Sequence, residues 1–182
     1  MIGLISDTHW PPGTFYDSYR KKQERAEKVF EQIQDYFRGV EFIIHAGDVG
    51  DPIILDLLNS IAPVYVVKGN RDPSYLRGVE LPLYRIVEYK NKVIGVTHGS
   101  GSPKGIIERS VRPVLEKFKP DIVVFGHTHR PFLKEIDGVV YVNPGSAGDT
   151  FFTKENWVAT LEISDGKVKV EFHKIHIPGR KA

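Results

Sequence analysis

Aspartate, asparagine and histidine side chains recur where short apolar runs of this sequence end. Seven such residues follow five of these runs: Asp7, His9, Asp48, Asn70, His98, His127 and His129. Two carboxylates, one amide oxygen and four imidazoles are too many ligands for one tetrahedral zinc ion, but they are enough for two metal ions that share a bridging group. The residue types therefore point to a two-metal site, provided that the fold brings these positions together.

Each of these pieces also has a structural explanation. An aspartate after a strand commonly caps a turn or a helix, "GNRD" alone is typical of a turn, and "GHTH" alone is equally consistent with a surface turn. Five such pieces, each at the end of a predicted strand, favour one joint metal site over scattered structural residues.

The apolar runs themselves predict β-strands. They are rich in β-branched residues and apolar on both faces, as in strands covered on both sides, and they span residues 2–6, 41–46, 64–68, 92–98, 121–126 and 139–143. The carboxyl ends of neighbouring strands meet at one edge, where ligands commonly bind. Asp7/His9 and His127/His129 are each two residues apart, which in an extended chain directs both side chains to one side.

Glycines and turns complete this outline. Glycines at positions 47, 69, 99 and 126 allow tight turns and close approach of the backbone beside the polar residues. Hairpins are predicted with turns near Asn91, at Asp137-Gly138 and at Asp165-Gly166.

Helical patterns lie between the strands. An apolar stripe from Ala26 to Phe37 and a shorter pattern over residues 53–58 predict two helices. A third helix is expected over residues 102–118, with Ser102 as N-cap, Pro103 at the first position and a bend at Pro113. The order of elements favours two packed sheets flanked by helices.

Composition excludes several classes of protein. The 182 residues are 41% apolar and 26% charged, with a net charge of only +2, which fits one globular domain over residues 1–182. No basic block predicts binding to long nucleic acid, and no apolar run is long enough to cross a membrane. Without cysteines, any metal must be held by histidine, aspartate, glutamate or asparagine. The opening "MIGLISD" reaches an aspartate too soon for a signal peptide, so the expected location is cytoplasmic.

The ordered motifs resemble those of the calcineurin-like metallophosphoesterases. "DTH", "GD", "GNRD", "THGS" and "GHTH" occur in that order and are followed by "NPGSAGD". The short length and the NPGS sequence resemble the compact phosphodiesterase branch, which is related to the metallophosphoesterase-like subunit of retromer. Over nearly the whole chain, this resemblance implies an α/β fold, a four-layer α-β-β-α sandwich.

The resemblance also implies a ligand set and a reaction. One metal ion would be held by Asp7, His9, Asp48 and His129, and the second by Asp48, Asn70, His98 and His127. Mixed oxygen and nitrogen ligands favour manganese, iron, zinc or nickel, with manganese the first expectation. The implied activity is that of a phosphoesterase, with a phosphodiesterase favoured, in which a metal-bridging hydroxide attacks the phosphate ester.

Two positions depart from the family pattern. Arg71 stands where many members have a histidine that assists the leaving group, and an arginine cannot deliver a proton at neutral pH. Arg71 is predicted either to clamp a phosphate oxygen or to form a salt bridge with a neighbour such as Asp72. Ser100 replaces a second histidine of the motif and is a candidate for substrate binding. Both changes favour substrates with good leaving groups.

Other polar residues are expected to play supporting parts. His45 fits the core or a role beside the ligands, and Asp51 either orients a ligand imidazole or caps a helix. His173 and His176 fit a surface strand, whereas Asn143 and Ser146 are expected to shape the loop beside "GHTH".

The aromatic residues near His9 leave two interpretations open. Trp10, Phe15, Tyr16 and Tyr19, like the segment 148–157, either form a rim that stacks on a substrate or pack on the fold or against a second subunit. A homo-oligomer is therefore a possible assembly. Two alternative functions also stay open: an interaction scaffold of the same fold without catalysis, and a nuclease, which the lack of a basic stripe disfavours.

Overall fold

Two five-stranded β-sheets form the centre of the fold in a computed structural model, which describes residues 1–13, 17–76, 78–148 and 152–179. The strands, in chain order, are β1 (Ile2–Ile5), β2 (Phe42–His45), β3 (Val64–Val66), β4 (Tyr75–Leu76), β5 (Val79–Glu80), β6 (Tyr84–Tyr89), β7 (Lys92–Thr97), β8 (Ile122–Val124), β9 (Pro131–Ile136), β10 (Val139–Pro144), β11 (Asn156–Ser164) and β12 (Lys167–Ile175). The first sheet has the order β12-β11-β1-β2-β3 and the second β6-β7-β8-β10-β9, while β4 and β5 form a separate hairpin.

Each sheet has parallel strands at its centre. β1, β2 and β3 run parallel in the first sheet, with Ile5 opposite His45 and His45 opposite Val66. β7, β8 and β10 run parallel in the second sheet. Because parallel strands end at the same edge, the loops after β1, β2 and β3, and those after β7 and β8, are brought together in space.

Three apolar clusters separate four layers. The cluster between the sheets includes Leu4 and Ile44 of the first sheet and Ile94 and Val124 of the second, all fully buried. The helices α1 (Tyr19–Tyr36) and α2 (Ile53–Asn59) cover the outer face of the first sheet, and the helical residues 107–118 cover that of the second. The predicted four-layer α-β-β-α sandwich is thereby confirmed.

Helix α1 forms where the apolar stripe predicts a helix. Ser18 is its N-cap, with a side chain that accepts a hydrogen bond from the Lys21 N–H. Val29 and Ile33, one helical turn apart, are fully buried against the first sheet. Phe37 follows the helix and packs on Gly3, where even a β-carbon would lie 3.0 Å from the ring. A glycine in β1 therefore makes room for this aromatic ring.

The predicted helix over 102–118 is wrong at its start. Ser102 and Pro103 lie outside any helix, and the segment begins with a π-helical turn at Ile107–Val111, which is followed by α3 (Arg112–Leu115) and a 3₁₀ turn at Glu116–Phe118. Pro113 has no amide hydrogen and so interrupts the α-helical hydrogen-bond ladder. The N–H of Arg112 instead bonds to the carbonyl of Ile107, five residues back.

The three predicted hairpins are present. β6–β7 turns at Lys90 and Asn91, and the Asp-Gly turns join β9 to β10 and β11 to β12. Asp137, Gly138, Asp165 and Gly166 all have positive φ, as a two-residue hairpin turn requires. The short β4–β5 hairpin was not predicted, since two-residue strands are too short to show a period of two.

Phe37→Ala tests the packing of the outer helix layer. Phe37 is fully buried, so truncation leaves a cavity and we expect the free energy of unfolding to fall by about 3–5 kcal/mol, measured by urea denaturation. The control Tyr19→Ala removes a side chain that is 75% exposed and should change it by less than about 0.5 kcal/mol. Equal effects would mean that Phe37 does not hold this layer.

Candidate metal centre

All seven predicted ligands lie at the joined edge of the two sheets. The Asp7 N–H bonds to the Gly47 carbonyl at 2.9 Å and the Gly126 N–H to the His98 carbonyl at 3.1 Å, so each sheet continues just beyond its strands. The His127 N–H donates to Oδ2 of Asp7 at 3.1 Å and thereby ties the second sheet to the first. The edge where the strands end is thus a single site built from both sheets.

Four of these residues form a compact first group. The ligand atoms of Asp7, His9, Asp48 and His129 all lie within 4.8 Å of one another. Nε2 of His129 lies 3.1 Å from Oδ1 of Asp7 and 3.4 Å from Nε2 of His9. Within the described residues, this is the one group of three or more histidine or acidic side chains spaced to hold a metal ion.

A second group is centred on the side-chain oxygen of Asn70. Nε2 of His98 lies 3.1 Å and Nδ1 of His127 2.8 Å from Oδ1 of Asn70. The two imidazole rings stand nearly perpendicular, with centroids 5.4 Å apart. An amide oxygen and two imidazole nitrogens therefore converge beside the first group.

Asp48 lies between the two groups. Its Oδ2 is 3.8 Å from Nε2 of His9, and its Oδ1 is 3.5 Å from Nε2 of His98. The backbone N–H of Arg71 donates to the same Oδ1 at 2.8 Å. One oxygen of Asp48 thus faces each group, as a bridging ligand requires.

The backbone at the ligands is not extended. Asp7, His9, Asp48, His127 and His129 all have positive φ, between 41° and 69°. The expectation that extended chain aims the paired side chains is therefore wrong, because both pairs sit in left-handed turns after their strands have ended. Aspartate and histidine tolerate this region better than most residues, yet it costs energy, and such strain clusters at functional sites.

Two glycines allow the loops to meet. A β-carbon on Gly69 would lie 2.1 Å from Oδ1 of Asp48, and one on Gly126 would lie 2.1 Å from Oγ of Ser6. Both distances are far below van der Waals contact. These positions therefore need glycine because another loop passes directly against their backbone.

Backbone carbonyls fix the tautomers of two histidines. Nδ1 of His98 lies 2.6 Å from the carbonyl of Ala46, and Nε2 of His127 lies 2.8 Å from that of Gly101. A carbonyl can only accept, so in each neutral ring this nitrogen carries the proton. The other ring nitrogen is left as a lone pair facing Asn70 Oδ1, which is itself an acceptor.

Hydrogen-bond acceptors of the site therefore face other acceptors. Whether a metal ion fits can be judged from these atoms, because a cation would satisfy them. Oδ1 of Asp7 is buried and accepts no well-aligned hydrogen bond, although Nε2 of His129 lies 3.1 Å and Nε2 of His98 lies 3.8 Å away. Buried polar atoms normally find a donor or a cation. The donor set of two carboxylates, an amide oxygen and imidazoles matches the ligands of divalent transition metals, so the residues fit such ions.

The charges of the site are strongly coupled. Burial opposes ionisation of Asp48, but the hydrogen bond and charge of His98 outweigh it and lower the pKa of Asp48 to about 2. Burial likewise opposes ionisation of Asp7, yet His129 and His98 lower its pKa overall. For His98, burial favours the neutral ring, but Asp48 and Asp7 raise its pKa. Both carboxylates are therefore ionised at neutral pH and attract a positive charge.

Asp72 is a supporting residue that the sequence reasoning misjudged. Its Oδ2 accepts from the N–H groups of Asp48 at 2.9 Å and Gly69 at 2.8 Å, and its Oδ1 accepts from Val49 at 2.8 Å. The buried carboxylate thus clamps the loop after β2 to the loop after β3. The signal was present in "GNRD", where the aspartate comes just after the ligand asparagine.

Arg71 is consequently not paired with Asp72 in the described residues. Its guanidinium carbon lies 5.4 Å from the ring centroid of Phe152, at the mouth of the cleft that holds the ligands. The salt-bridge alternative for Arg71 therefore has no support, and a role toward substrate stays a prediction. Ser100 is exposed, and its hydroxyl lies 3.2 Å from that of Ser110, so its predicted role in substrate binding gains no contact here.

His45 is a buried neighbour of the site rather than a member of it. The Thr8 hydroxyl donates to the Val49 carbonyl at 2.7 Å and so accepts from Nε2 of His45, 3.0 Å away. Nδ1 of His45 accepts from the Gly47 N–H at 3.2 Å. Burial, chiefly, lowers the pKa of His45 to about 4, so the ring is neutral at pH 7.

The remaining supporting residues act mainly on the backbone. The Asn143 side chain donates to the Gly126 carbonyl, and the Ser146 hydroxyl donates to the Asp7 carbonyl, each at 2.7 Å. Both hold the loops that carry ligands. Asp51 accepts from the Ile53 N–H at 2.9 Å, at the start of α2, while His173 lies in β12 beside Thr160.

Of the two interpretations left open for the aromatic residues near His9, packing on the fold holds for Trp10. Trp10 is 6% exposed and packs in the core, and Tyr19 lies on the exposed face of α1. Phe15 and Tyr16 lie outside the described residues, as do residues 149–151 of the second aromatic segment. Phe152 of that segment does reach the site, with its ring centroid 5.9 Å from that of His129.

Comparison with known proteins agrees with this architecture. The family model of the calcineurin-like phosphoesterase superfamily domain matches residues 1–166. The chain therefore belongs to the calcineurin-like phosphoesterase superfamily. Among the described residues, no helix combines the length and apolar character needed to span a membrane.

Two relatives in sequence and one solved structure illustrate the similarity. The chain is 36% identical to a probable metallophosphoesterase of Methanothermobacter thermautotrophicus, over 98% of this chain and 94% of that protein. It is 26% identical to a phosphodiesterase of Methanocaldococcus jannaschii, over 79% of this chain and 82% of that protein. The structure of zinc-complexed Vps29 from Entamoeba histolytica superposes with a TM-score of 0.66 at 24% identity, covering 95% of this chain and 98% of that one, and confirms the fold.

The neutral ring of His45 predicts a pH dependence of stability. Its pKa in the folded protein is about 4, below the ordinary value of 6.5. Above pH 6.5 the ring is neutral in both the folded and the unfolded chain, so its titration does not lower the free energy of unfolding. Between pH 6.5 and 4, His45 is protonated in the unfolded chain but stays neutral in the folded one, so the free energy of unfolding falls by about 3 kcal/mol. In metal-free protein, His45→Gln should flatten this decline by about that amount, measured by urea denaturation from pH 7.5 to 4.5. The exposed control His176→Gln should follow the wild type, and a parallel decline in His45→Gln would contradict the assignment.

The clamp formed by Asp72 predicts a loss of metal affinity at a distance. In Asp72→Asn, an amide group replaces one oxygen that accepts backbone N–H bonds, so the loop bearing Asp48 should shift. We expect metal affinity to fall by about 10–100-fold, measured by calorimetric titration with Mn²⁺ or Zn²⁺. Asp165→Asn, a matched change in a hairpin turn, should leave the affinity unchanged. An affinity within threefold of wild type would show that Asp72 does not position the ligands.

Proposed function

We propose that this protein is a dinuclear-metal-dependent phosphodiesterase. The observation that carries the proposal is the convergence of seven ligand residues in two groups with Asp48 between them. A single metal ion would leave the second group of acceptors without a partner. Two ions with a shared carboxylate would satisfy both groups.

The assignment of ligands follows the two groups. Asp7, His9, Asp48 and His129 would hold one ion, and Asp48, Asn70, His98 and His127 the other. When bound, such ions supply a nucleophile from water at neutral pH and offset the charge of a phosphoryl group. Manganese is the first expectation, with iron, zinc or nickel also matching the ligand types.

The side chains of the site prepare it for these ions. The low pKa values of Asp7 and Asp48 keep both carboxylates ionised at neutral pH, even though they are buried. The Ala46 and Gly101 carbonyls hold the protons of His98 and His127 away from the cleft, so that a lone pair faces inward. When these two rings are neutral, the chain therefore presents their lone pairs to a metal ion without moving the remaining ring protons.

The cleft above the ligands suits an anionic ester. It has a volume of about 370 Å³ and is bordered by Arg71, Arg130 and Phe152. Two guanidinium groups provide positive charge for the non-bridging oxygens of the phosphate. Arg71 cannot supply a proton to the leaving group, so esters of acidic alcohols or phenols are the expected substrates.

The preference for a diester rests on the relatives. A relative at 26% identity over most of both chains is named a phosphodiesterase. An interaction scaffold, the alternative function, draws its support from similarity of fold to Vps29. The complete and convergent ligand set favours an enzyme, because a scaffold has no need of buried, charged and strained residues at this edge.

Hydrolysis of bis(p-nitrophenyl) phosphate tests the proposal. Wild-type protein with added Mn²⁺ should release p-nitrophenolate, and chelation of the metal should stop the release. Asp48→Asn and His98→Ala should each lower kcat/KM by at least about 100-fold, since each removes a ligand to the second ion. Circular dichroism should show that both variants remain folded.

Matched controls separate ligand loss from general damage. Asp165→Asn in a hairpin turn and His176→Ala at the exposed end of β12 should keep full activity. If metal-loaded, folded wild type hydrolyses neither diesters nor monoesters, the enzyme proposal fails and the scaffold gains support. If Asp48→Asn retains wild-type activity, the bridging assignment is wrong.

A further inference from the structure

We propose that a cavity adjoining the metal cleft binds one ester substituent of the substrate, and that this substituent is an uncharged, apolar group of aromatic-ring size. The inference rests on the proposed function and adds to it the class of diester that the site selects. We call this cavity the ester pocket and define it by its apolar residues Ile106, Ile107, Phe125 and Phe132 together with Glu108.

The ester pocket has the size and lining of a small-ligand site. Its volume is about 340 Å³, near the lower end of the range of about 300–1,000 Å³ that is usual for ligand pockets. Phe125 is 2% exposed, and its ring centroid lies 5.9 Å from that of Phe132 in an edge-to-face contact. The walls are therefore held by packing rather than by a free loop, and a planar apolar group would bury its surface against them.

The ester pocket adjoins the metal cleft. Pro103, Thr128 and Arg130 line both cavities. Thr128 stands between the ligands His127 and His129 in the chain, and its N–H bonds to the Gly126 carbonyl at 2.8 Å. A phosphate ester at the metal ligands is thus one short turn of chain from the ester pocket, so a substituent on phosphorus lies within reach of it.

Arg130 places positive charge at the junction. Its side chain is exposed, and no salt bridge joins it to a carboxylate in the part of the chain that the structure describes. A diester carries a single negative charge on its phosphoryl oxygens, so Arg130 attracts the phosphate itself to the boundary between the cavities. The positive charge of Arg130 therefore matches the phosphate of a diester, and the apolar walls of the ester pocket match its ring.

Glu108 restricts what the ester pocket accepts. It is the one carboxylate among the described lining residues, and a substituent with a further negative charge would be repelled by it. Arg130 is the only positively charged residue among the described lining residues, and it lies at the junction with the metal cleft. The cavity consequently favours phosphate esters that carry a neutral aryl or similar ring over chains of several phosphates.

Binding of two substrate-like diesters tests the inference by affinity instead of turnover. Dissociation constants of diphenyl phosphate and dimethyl phosphate are measured by NMR titration of the zinc-loaded protein. Wild type should bind diphenyl phosphate at least about tenfold more tightly, because burial of one ring contributes that much or more. Phe132→Ala should reduce this preference about fivefold or more and leave dimethyl phosphate binding unchanged.

Further variants locate the effect. Phe132→Leu, which keeps an apolar side chain, should lie between wild type and Phe132→Ala and guards against a folding defect. Phe118→Ala, which truncates a half-buried phenylalanine beside Tyr84, should keep the wild-type preference. Arg130→Gln should weaken both ligands by a similar factor, since it acts on the phosphate. With bis(p-nitrophenyl) phosphate, Phe132→Ala should raise KM and leave kcat unchanged.

The outcomes distinguish this inference from the proposed function. Equal affinity of wild type for both ligands, or a preference that Phe132→Ala does not change, would overturn the ester pocket even if diesters are hydrolysed. Preferential binding of diphenyl phosphate that depends on Phe132 would support the ester pocket. If no diester is then hydrolysed, the failure belongs to the proposed activity, and the ester pocket stands as a binding site.

Discussion

The structure depends on one electrostatic constraint: hydrogen-bond acceptors from both sheets are gathered at a buried edge with too few donors to satisfy them. Oδ1 of Asp7 accepts no well-aligned hydrogen bond, and in the neutral rings of His98 and His127 a lone pair faces the oxygen of Asn70. In a medium of low dielectric, such an arrangement is costly unless a cation or a proton joins it. Without a metal ion, the two carboxylates favour a proton on His98 instead and raise its pKa.

The fold supports this concentration of charge by rigid means. Two sets of parallel strands end at the same edge, and the interlocking apolar layers hold both sheets in place. Left-handed backbone at five ligands stores strain that the surrounding hydrogen bonds must offset. Asp72, Asn143 and Ser146 supply such bonds from outside the ligand set. Preorganisation of this kind lets the ligands meet a metal ion without reordering.

The same edge provides the recognition of a substrate. Arg71 and Arg130 surround the ligands with positive charge, and Phe152 adds an aromatic surface. The ester pocket adjoins the cleft and has apolar walls. The surface beside the ligands therefore changes from charged to apolar within one loop. A phosphodiester with a neutral ring likewise has a charged phosphate next to an apolar group, which is why we favour that class of substrate. Catalytic and binding features are thus carried by loops on a rigid scaffold.

The sequence by itself determined the residue types, the longer strands and two packed sheets flanked by helices, and the resemblance of its motifs to a known family implied the four-layer arrangement. Apolar runs and Asp-Gly turns predict local structure well because they depend on neighbours in the chain. The start of the third helix was wrong, since a plausible cap at Ser102 is followed by a turn and the helical segment begins only with the π turn at Ile107–Val111. Only the tertiary structure decided the orientation of the ligand side chains, the hydrogen bonds that Asp72 accepts, and the position of the ester pocket beside the cleft. Each of these arises from contacts between loops that are distant in sequence, and periodicity carries no record of such contacts.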